Sequence, residues 1–505
     1  LSYAQLASQM SDVAAGLVNS GLRFGDRVAI YLPKCFENVL ASFAAGMSGG
    51  VFVPINPILK PHQVLHILND CTASILITSA NRLAALYKEL KASPDLQTVI
   101  IIDNHVQASI KSALPGKNFI TWQELETTSP HLKGGKVKET DIASILYTSG
   151  STGQPSGVVL SHKNMICGAN SVAQYLENVP TDKILALLPF SFDYGFNQLT
   201  TAFCAGASAV LMDYLLPYDV IRTIAAEKIT GLAAVPTLWV KLSKLAWPKE
   251  ASTSLRYITT SGGVMPITTL DDLRNTIPNT RIYKMYGLTE AFRSTYLPPD
   301  QIDYRPNSIG KAIPNARIMV VKEDGSVCRP GEPGELVHCG PLVAMGYWNN
   351  PEKTAQRFKP APLQDPQSTD TNIAVWSGDL VTTDAEGYLY FINRKDEMIK
   401  TSGYRISPTE VEEIIHQSGY VNEVACIGIH HPELGQAIVA VITEQQDTCS
   451  ELDIDSIYIH CRKQLPPYMV PATILIYNEL PYTPNGKVDR QKLSIELRSY
   501  FDQSA

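Results

Sequence analysis

Apolar residues follow two alternating spacings along the first third of the chain. Residues 4–17 carry them at helical spacing, whereas "RVAIYL" (residues 27–32) is a short apolar run typical of a buried strand. The same succession recurs through "ENVLASFAAGMSG" and "VFVPIN", and again through "HQVLHILNDC" and "SILITS". Strands that alternate with helices predict βαβ units and a largely parallel sheet covered by helices.

The pattern changes near residue 307. "ARIMVVKEDGS", "PGEPGELVHCG" and "GYLYFINR" are short apolar runs broken by turn residues, and they predict a small β-rich subdomain over about residues 307–395. A compact α+β pattern follows, from "TEVEEIIHQ" to "TILIYNEL". We therefore expect an α/β protein. Its large N-terminal domain (residues 1–395) contains parallel βαβ subdomains and the β-rich subdomain, and a small mobile α+β domain occupies residues 396–505.

Charge and composition exclude several classes of function. The 505 residues carry a formal net charge of −7, which disfavours nucleic acid as a partner because phosphate binding requires a basic surface. The nine cysteines form no CxxC pair, so a cysteine metal site is not expected. No apolar run reaches the roughly 18 residues of a membrane span. The first residues resemble no secretory signal, and we expect a cytoplasmic protein.

The stretch "YTSGSTGQPSGVVLSH" (residues 147–162) concentrates glycine and hydroxyl residues between two apolar strands. Backbone N–H groups exposed by glycines form a nest for anionic oxygens, to which the hydroxyl groups add donors. It is not a Walker loop, because GxxxxGK[ST] is absent. Taken alone, the stretch fits a phosphate-binding loop and a mobile surface turn equally well.

Four further segments give this loop a context. They are "MYGLTE", "WSGDL", "RKDEMIKTSGYRISPTEVE" and "PNGKVDR". In this order, the five segments resemble the adenylate-forming superfamily, which includes acyl-CoA synthetases, adenylation domains and firefly-type luciferases. The resemblance implies a ligase that uses ATP and Mg²⁺. A carboxylate attacks the α-phosphorus and releases pyrophosphate, and a thiol then displaces AMP to form a thioester.

The resemblance assigns roles to residues that the nucleotide would contact. Glu290 matches the magnesium ligand, Tyr286 the residue that stacks on adenine, and Asp379 the acceptor of ribose hydroxyls. Taken alone, Glu290 is also a plausible solvated acid at a helix start, and Asp379 a turn-forming residue. The implied ATP-binding set is Thr148, Ser149, Gly150, Ser151, Thr152, Gly153, Gly262, Gly263, Tyr286, Gly287, Asp379 and Arg394.

The resemblance also implies a mobile C-terminal domain that brings its own lysine to the reaction. Lys487, in "PNGKVDR", would place an ammonium beside the carboxylate and the α-phosphate, although alone it reads as a surface lysine on a turn. With Lys487, the implied catalytic residues are Thr289 and Glu290. Asp396 falls at the hinge position. The segment "KTSGYR" (residues 400–405) would face the site for thioester formation, through Lys400, Gly403 and Tyr404.

One position departs from the family pattern. Members commonly carry a lysine where this chain has Ser156, in "GQPSGV", so the phosphate loop lacks one positive charge. We expect weakened rather than absent use of ATP. The departure also admits a non-catalytic nucleotide-binding protein, but Glu290, Asp379 and Lys487 are retained and argue against it.

The segment "LPFSFDYGFNQL" (residues 188–199) occupies the stretch that defines the acid in this family. Acyl- and aryl-CoA synthetases often have histidine at the position of Phe192, whereas amino-acid adenylating domains show Phe-Asp, whose aspartate holds the substrate ammonium. Asp193 fits the second pattern, although it could instead cap the following helix. The expected pocket residues are Phe192, Asp193, Tyr194, Asn197, Thr259, Ser261, Met285, Arg293 and Ser294.

These residues favour a compact acid, and a small amino acid such as proline is the first hypothesis. Arg293 complicates it, because a guanidinium would suit a second carboxylate or would pair with Asp193. No carrier-domain segment follows "PNGKVDR", so we expect the thiol to come from the phosphopantetheine of a separate carrier protein. The alternative is an acyl-CoA or aryl-CoA synthetase that uses free coenzyme A.

Overall fold

The computed structural model of the chain describes residues 1–127, 137–148, 155–263, 265–362, 373–394, 398–444, 453–482 and 488–502. The chain begins with a capped helix, since the Ser2 hydroxyl accepts a hydrogen bond from the Gln5 backbone N–H. The elements up to residue 175 are α1 (Tyr3–Asn19), β1 (Arg27–Tyr31), α2 (Phe36–Met47), β2 (Val51–Pro54), α3 (Pro61–Asp70), β3 (Ala73–Thr78), α4 (Ala80–Leu86), β4 (Thr98–Ile101), α5 (Ala108–Ala113), β5 (Asn118–Thr121), α6 (Trp122–Thr127), β6 (Ile142–Thr148), β7 (Ser156–Ser161) and α7 (His162–Tyr175).

The predicted alternation of helices and strands forms the first sheet. Strands β5, β4, β3, β1, β2 and β6 are parallel neighbours in that order, and β7 continues the sheet antiparallel to β6. Strands β2 and β3 are buried along their whole length. Continuous apolar strands of this kind are needed in a parallel sheet, because helices cover both faces.

A second sheet repeats the parallel arrangement and then changes character. Strands β9, β8, β10, β11 and β12 are parallel, and those beyond β12 are antiparallel. The elements of this region are β8 (Lys183–Ala186), α8 (Asp193–Cys204), β9 (Ser208–Leu211), α9 (Pro217–Glu227), β10 (Gly231–Ala234), α10 (Pro236–Ser243), α11 (Lys249–Ser254), β11 (Tyr257–Thr260), α12 (Ile267–Thr276), β12 (Arg281–Tyr286), β13 (Thr295–Leu297), β14 (Ser308–Ala312), β15 (Arg317–Val321), β16 (Gly334–Cys339), β17 (Gly346–Tyr347), α13 (Pro351–Arg357), β18 (Phe358–Pro360), β19 (Ile373–Thr383) and β20 (Leu389–Arg394).

The β-rich region after residue 307 is antiparallel, but it continues the second sheet. Strand β14 pairs with β13 on one side and with β20 on the other, so the parallel and antiparallel halves share one hydrogen-bonded surface. One strand leaves this group, because β17 pairs with β7 at the edge of the first sheet. The two sheets are therefore linked through the segment that carries β17 and α13.

The C-terminal residues build a third sheet with its own apolar core. Its strand order is β22-β21-β24-β23, with β25 beside β24, and its core includes Ile406, Val411 and Ile438. The elements are β21 (Ile399–Thr401), β22 (Tyr404–Ile406), α14 (Pro408–His416), β23 (Val421–His431), β24 (Gly435–Glu444), α15 (Ile454–Gln464), β25 (Thr473–Ile476) and α16 (Arg490–Glu496).

Across the described ranges, no helix is both long and apolar enough to cross a membrane.

Candidate active site

A cavity of about 200 Å³ opens where the parallel strands of both large sheets end. In α/β proteins, ligands bind at the carboxyl ends of the strands, in the crevice that the loops leave there. Side chains from all three sheets reach this cavity. They include Thr148 at the end of β6, Asp193 at the start of α8, Glu290 after β12, Asp379 in β19 and Tyr404 in β22, and the backbone of Gly262 after β11 adds to the wall.

Glu290 is a buried carboxylate held in its ionised form. Its side chain is 4% exposed, and Oε1 accepts a hydrogen bond from the Tyr347 hydroxyl at 2.6 Å. Burial alone would raise the pKa of Glu290, but the charge of Arg405 and the Tyr347 hydrogen bond bring the pKa below its ordinary value. Glu290 lines the cavity, and a charged carboxylate oxygen fits the ligand preference of Mg²⁺.

Tyr286 and Asp379 form a second buried pair. The Tyr286 hydroxyl donates to Oδ2 of Asp379, whose side chain is 3% exposed. Asp379 lines the cavity, whereas Tyr286 lies behind it at the end of β12. Arg394 faces Asp379 across the pairing of β19 with β20, and its side chain lies outside the described part of the structure. The tyrosine thus fixes the orientation of the carboxylate.

Asp193 and Arg293 lie on another wall of the cavity and are not an ion pair. Within the described residues, no cationic nitrogen lies within 4.0 Å of the Asp193 carboxylate, and Oδ1 accepts a long hydrogen bond of 3.5 Å from Thr289. The backbone N–H of Tyr194 also favours the ionised carboxylate. Burial raises the pKa of Asp193, and the charge of Arg293 offsets only part of that increase. The guanidinium carbon of Arg293 lies 4.5 Å from the centre of the Tyr194 ring.

Arg293 is buried with unused hydrogen-bonding capacity. It is 2% exposed, and Nη1 donates to the Ser261 hydroxyl at 3.4 Å. Its Nε and Nη2 have no acceptor among the described residues. A buried donor without an acceptor costs about 1–3 kcal/mol, and more if the donor is charged. The site therefore contains a cation whose full complement of partners is not supplied by the described protein groups.

Tyr194 closes the cavity at its deep end. Its hydroxyl shares a 2.6 Å hydrogen bond with the Thr259 hydroxyl. Behind it lies a separate cavity of about 20 Å³, lined partly by Asn197, Thr259 and Met285. Of the expected pocket residues, Ser294 lines neither cavity: it is fully buried and bonded to Nδ1 of His338 at 2.9 Å. Ser294 therefore lies behind the wall rather than on it.

The segment 400–405 faces the cavity from the third sheet. Ser402 and Gly403 have φ values of 50° and 83° and connect the paired residues Thr401 and Tyr404, as in a type I′ hairpin. A Cβ at position 403 would lie 2.6 Å from a Val235 methyl, so only glycine allows this approach. Lys400, Gly403 and Tyr404 all line the cavity.

Tyr404 anchors the hairpin in an aromatic group. Its ring stacks on Tyr468 at 3.6 Å between centroids and meets the edge of Phe192 at 5.0 Å. Phe192 and Ser261 line the main cavity, as do Gly287 and Thr289. Gly263 does not line it and instead lies against Pro236.

Several predicted residues lie outside the described ranges. They are the phosphate-loop residues Ser149, Gly150, Ser151, Thr152 and Gly153, the hinge residue Asp396 and the lysine Lys487. Their assigned roles stay predictions.

The structure adds residues that the sequence motifs did not single out. Tyr347 bonds Glu290, and Lys353 donates from Nζ to the Ser156 hydroxyl at 2.8 Å. Glu410 lines the cavity and accepts a hydrogen bond from Gln63 at 3.0 Å. The segment "GYWNNPEKT" contains two of these residues. Only the pairing of β17 with β7 shows that it belongs to the site.

Comparison with known proteins identifies the family. The sequence profile described as AMP-binding enzyme matches residues 1–348, and that of the AMP-binding enzyme C-terminal domain matches residues 410–487. The chain belongs to the adenylate-forming superfamily. It is accordingly an ATP-dependent, AMP-forming acid–thiol ligase, as the resemblance implied.

Curated relatives of this adenylate-forming enzyme differ in acid and acceptor. An L-proline–[L-prolyl-carrier protein] ligase of Streptomyces coelicolor is 30% identical, over 98% of this chain and 92% of that protein. A long-chain-fatty-acid–CoA ligase of Bacillus subtilis is 27% identical, over 98% of this chain and 89% of that protein.

Solved structures agree with the fold. The o-succinylbenzoate CoA synthetase of Bacillus subtilis superposes with a TM-score of 0.83 at 24% identity, covering 98% of this chain and 94% of that one. An anthranilate CoA ligase gives a TM-score of 0.70 at 28% identity, covering 99% of this chain and 92% of that one. The mixed α/β architecture with a small C-terminal unit is that of adenylate-forming enzymes.

Proposed function

We propose that this enzyme adenylates a small amino acid and transfers it to the phosphopantetheine thiol of a separate carrier protein. The observation that carries the proposal is the Asp193 carboxylate, which lines the cavity with no described cationic nitrogen within 4.0 Å. A substrate ammonium would supply the missing partner, and a charge-assisted hydrogen bond is roughly twice as strong as a neutral one.

The raised pKa of Asp193 is consistent with this proposal. Burial disfavours the ionised carboxylate while the pocket is empty. An ammonium within hydrogen-bonding distance would lower the pKa again, so binding of an amino acid and ionisation of Asp193 would favour each other. An acid without an amino group offers no such coupling.

The closed end of the cavity supports a compact acid. The hydrogen bond between Tyr194 and Thr259 separates the main cavity from the small one behind it. Buried tyrosines pack behind this wall, among them Tyr175, Tyr257 and Tyr283. A long acyl chain would have to displace these close-packed rings, whereas a short side chain would stop at Tyr194.

Arg293 narrows the choice among amino acids. Its Nε and Nη2 would donate to an oxygen on the substrate side chain, which proline lacks. Proline remains the first compound to test, because the Streptomyces relative is named for that substrate. A compact amino acid with a side-chain acceptor is the next.

Arg293 also favours one alternative, an acyl-CoA or aryl-CoA synthetase for an acid with a second carboxylate. In that case the guanidinium would bind the second carboxylate, and Asp193 would have only a structural role. The raised pKa of Asp193 is compatible with this reading as well. Free coenzyme A would then replace the carrier protein as the thiol donor.

For either acid, different residues would serve the two half-reactions, adenylation and thioester formation. Glu290 would hold Mg²⁺, which neutralises charge on the phosphate oxygens, and Asp379, oriented by Tyr286, would accept the ribose hydroxyls. The acid carboxylate forms a bond to the α-phosphorus as the bond to pyrophosphate breaks. Thr289 precedes Glu290 in the chain, and its hydroxyl, which makes a long hydrogen bond to Asp193, would donate to a phosphate oxygen instead.

The second half-reaction would use the arrangement seen for residues 400–405. A thiolate forms the bond to the acyl carbon and AMP leaves with the electron pair of the broken C–O bond. Because Gly403 lies against Val235 at the cavity, the hairpin is placed to guide a pantetheine arm. Lys487 would serve the first half-reaction from another orientation of the C-terminal residues.

The deciding experiment is ATP–pyrophosphate exchange with a panel of acids. Proline, serine, threonine, glutamate and glutamine would be compared with short dicarboxylic, aryl and fatty acids. We expect amino acids to drive exchange and Asp193→Asn to abolish that preference. Exchange driven only by acids without an amino group, and unaffected by Asp193→Asn, would overturn the proposal in favour of the CoA synthetase.

The thiol acceptor needs a separate assay. The acid that is active in exchange would be offered with ATP to coenzyme A and to a phosphopantetheine-loaded carrier protein, and thioesters would be counted by mass spectrometry. We expect faster acylation of the carrier protein. Equal or faster acylation of coenzyme A would contradict this part of the proposal alone.

A further inference from the structure

Lys353, a lysine from outside the phosphate loop, contacts Ser156, the position at which the loop lacks a lysine. Lys353, in the first turn of α13, donates a hydrogen bond from Nζ to the Ser156 hydroxyl at 2.8 Å. Ser156 is the first residue of β7 and the place where related enzymes commonly carry the loop lysine. The two residues are 197 positions apart in the sequence. The ammonium of Lys353 therefore lies beside the end of the phosphate loop.

The pairing of β17 with β7 brings Lys353 to this place. Tyr347 pairs with Val158, and the Trp348 backbone N–H donates to the Gly157 carbonyl at 2.8 Å. A Cβ at Gly157 would lie 2.5 Å from an Ile145 methyl of β6, so glycine is needed where β7 packs beside β6. Helix α13 then begins beside the start of β7, with the Asn350 side chain capping the Lys353 N–H at 2.9 Å. The position of Lys353 is thus defined by strand register and a helix cap.

The same ammonium lies on the magnesium side of the site. Lys353 Nζ is 4.4 Å from the centre of the Tyr347 ring, and the hydroxyl of that ring bonds Glu290 at 2.6 Å. Ser156, Lys353, Tyr347 and Glu290 thus form a continuous series of contacts from the loop to the expected metal ligand. The dipole of α13 does not favour a lysine here, because a cation in the first turn opposes it.

We propose that Lys353 replaces the missing loop lysine and binds the β- and γ-phosphate oxygens of ATP. The small Ser156 side chain leaves room for the ammonium and orients it by a hydrogen bond. The proposal rests on the placement of the triphosphate beside Glu290 in the proposed function, but not on the identity of the acid. The proposal implies that α13, through Lys353, supplies the positive charge that the phosphate loop lacks.

Nucleotide binding without any acid tests this proposal. Dissociation constants for MgATP and for AMP would be measured by calorimetry on the wild type, Lys353→Met and Lys353→Arg. We expect Lys353→Met to weaken MgATP by about 10- to 100-fold, the range for a hydrogen bond to a charged group. AMP should change less than about two-fold, because it lacks the β- and γ-phosphates. Lys353→Arg should keep most of the MgATP affinity.

A rescue variant separates this role from a structural one. Ser156→Lys combined with Lys353→Met returns an ammonium to the loop, and we expect it to recover MgATP affinity to within a few-fold of the wild type. Lys359→Met is the matched control, since Lys359 is exposed and packs over the Trp376 ring at 5.4 Å. It should bind both nucleotides as the wild type does.

Two outcomes would overturn the proposal. One is unchanged MgATP affinity in Lys353→Met, and the other is an equal loss for MgATP and AMP that the double variant does not recover. The assignment of Glu290 is checked in parallel with Glu290→Gln. If that variant binds MgATP normally while Lys353→Met does not, the metal assignment fails and the role of Lys353 stands.

Discussion

The charged side chains at the two ends of the cavity differ in how fully protein groups satisfy their hydrogen bonds. At the proposed nucleotide end, Glu290 is bonded to Tyr347 and Asp379 to Tyr286, and the nearby Lys353 is bonded to Ser156. At the proposed acid end, Asp193 is partly buried with no described cation within 4.0 Å, and Arg293 is buried with two donor nitrogens that have no acceptor among the described residues. The nucleotide is the same in every turnover of this enzyme class, so its partners can be fixed in advance. At the proposed acid end, charged groups remain whose hydrogen-bond partners would have to come from the bound acid.

The largest loss of activity should come from a substitution of Glu290, at the proposed nucleotide end. Glu290→Gln keeps the size of the side chain and an acceptor for Tyr347, but it removes the charge that Mg²⁺ requires. We expect ATP–pyrophosphate exchange to fall by about 100- to 1,000-fold, the range for losing one major electrostatic contact. Saturation curves in acid and in MgATP would check this. A loss confined to the KM of the acid would place Glu290 at the wrong end.

A substitution at the proposed acid end should lower activity without lowering stability. Arg293→Met removes a buried guanidinium with unfilled donors, so we expect stability to rise or stay constant, by about 0–2 kcal/mol, while kcat/KM for the acid falls about ten-fold or more. Denaturant unfolding and exchange kinetics would measure the two changes. Tyr347→Phe at the nucleotide end is the control, because it should not raise stability. A clear loss of stability in Arg293→Met would mean that the guanidinium already has its partners.

A smaller loss of activity is expected when Tyr347, the hydrogen-bond partner of Glu290, is replaced. Tyr347→Phe removes one hydrogen bond to an ionised carboxylate, and we expect roughly a five- to ten-fold loss in exchange, corresponding to about 1–1.4 kcal/mol. The loss should appear in the dependence on Mg²⁺ concentration and not in the KM of the acid. An unchanged Mg²⁺ dependence would contradict the orienting role given to Tyr347.

The last prediction concerns the pH dependence of stability at Glu410, on helix α14, which meets helix α3 through the hydrogen bond from Gln63. Burial raises the pKa of Glu410 to about 7, although the hydrogen bond from Gln63 opposes the change. The folded protein therefore keeps a proton that the unfolded chain releases near the ordinary pKa. The stabilising effect is complete below the ordinary pKa and is lost as pH rises through about 7.

Glu410→Gln should remove this pH dependence. Between pH 5 and 7, we expect wild-type stability to fall relative to the variant by at most about 1.4 kcal/mol per pH unit, the limit for one proton. Thermal unfolding across that range would measure the difference. Parallel curves for the two proteins would show that Glu410 titrates normally.

Much of the fold could be predicted from sequence because the physical signals are local. Buried parallel strands give unbroken apolar runs, and β2 and β3 fall where such runs were expected. The continuation of the second sheet into the β-rich region could not be predicted. It depends on the hydrogen bonds between β13 and β14, which leave no spacing pattern in the sequence.

The site shows the same division. Motifs predicted Glu290, Asp379 and the hairpin at residues 400–405, all of which line the cavity. No motif could show that Lys353 reaches Ser156, because that contact depends on the register of β17 against β7. Nor could the sequence decide whether Asp193 and Arg293 neutralise each other, since a separation of a few ångströms decides it.

The Tyr194 ring has a consequence for how this enzyme could diversify. It is the partition between the main cavity and the space lined by Asn197 and Met285. A smaller residue there would merge the two spaces without touching Glu290, Asp379 or Lys353. A single substitution could thus admit a slightly longer acid while the residues proposed to bind the nucleotide stayed unchanged.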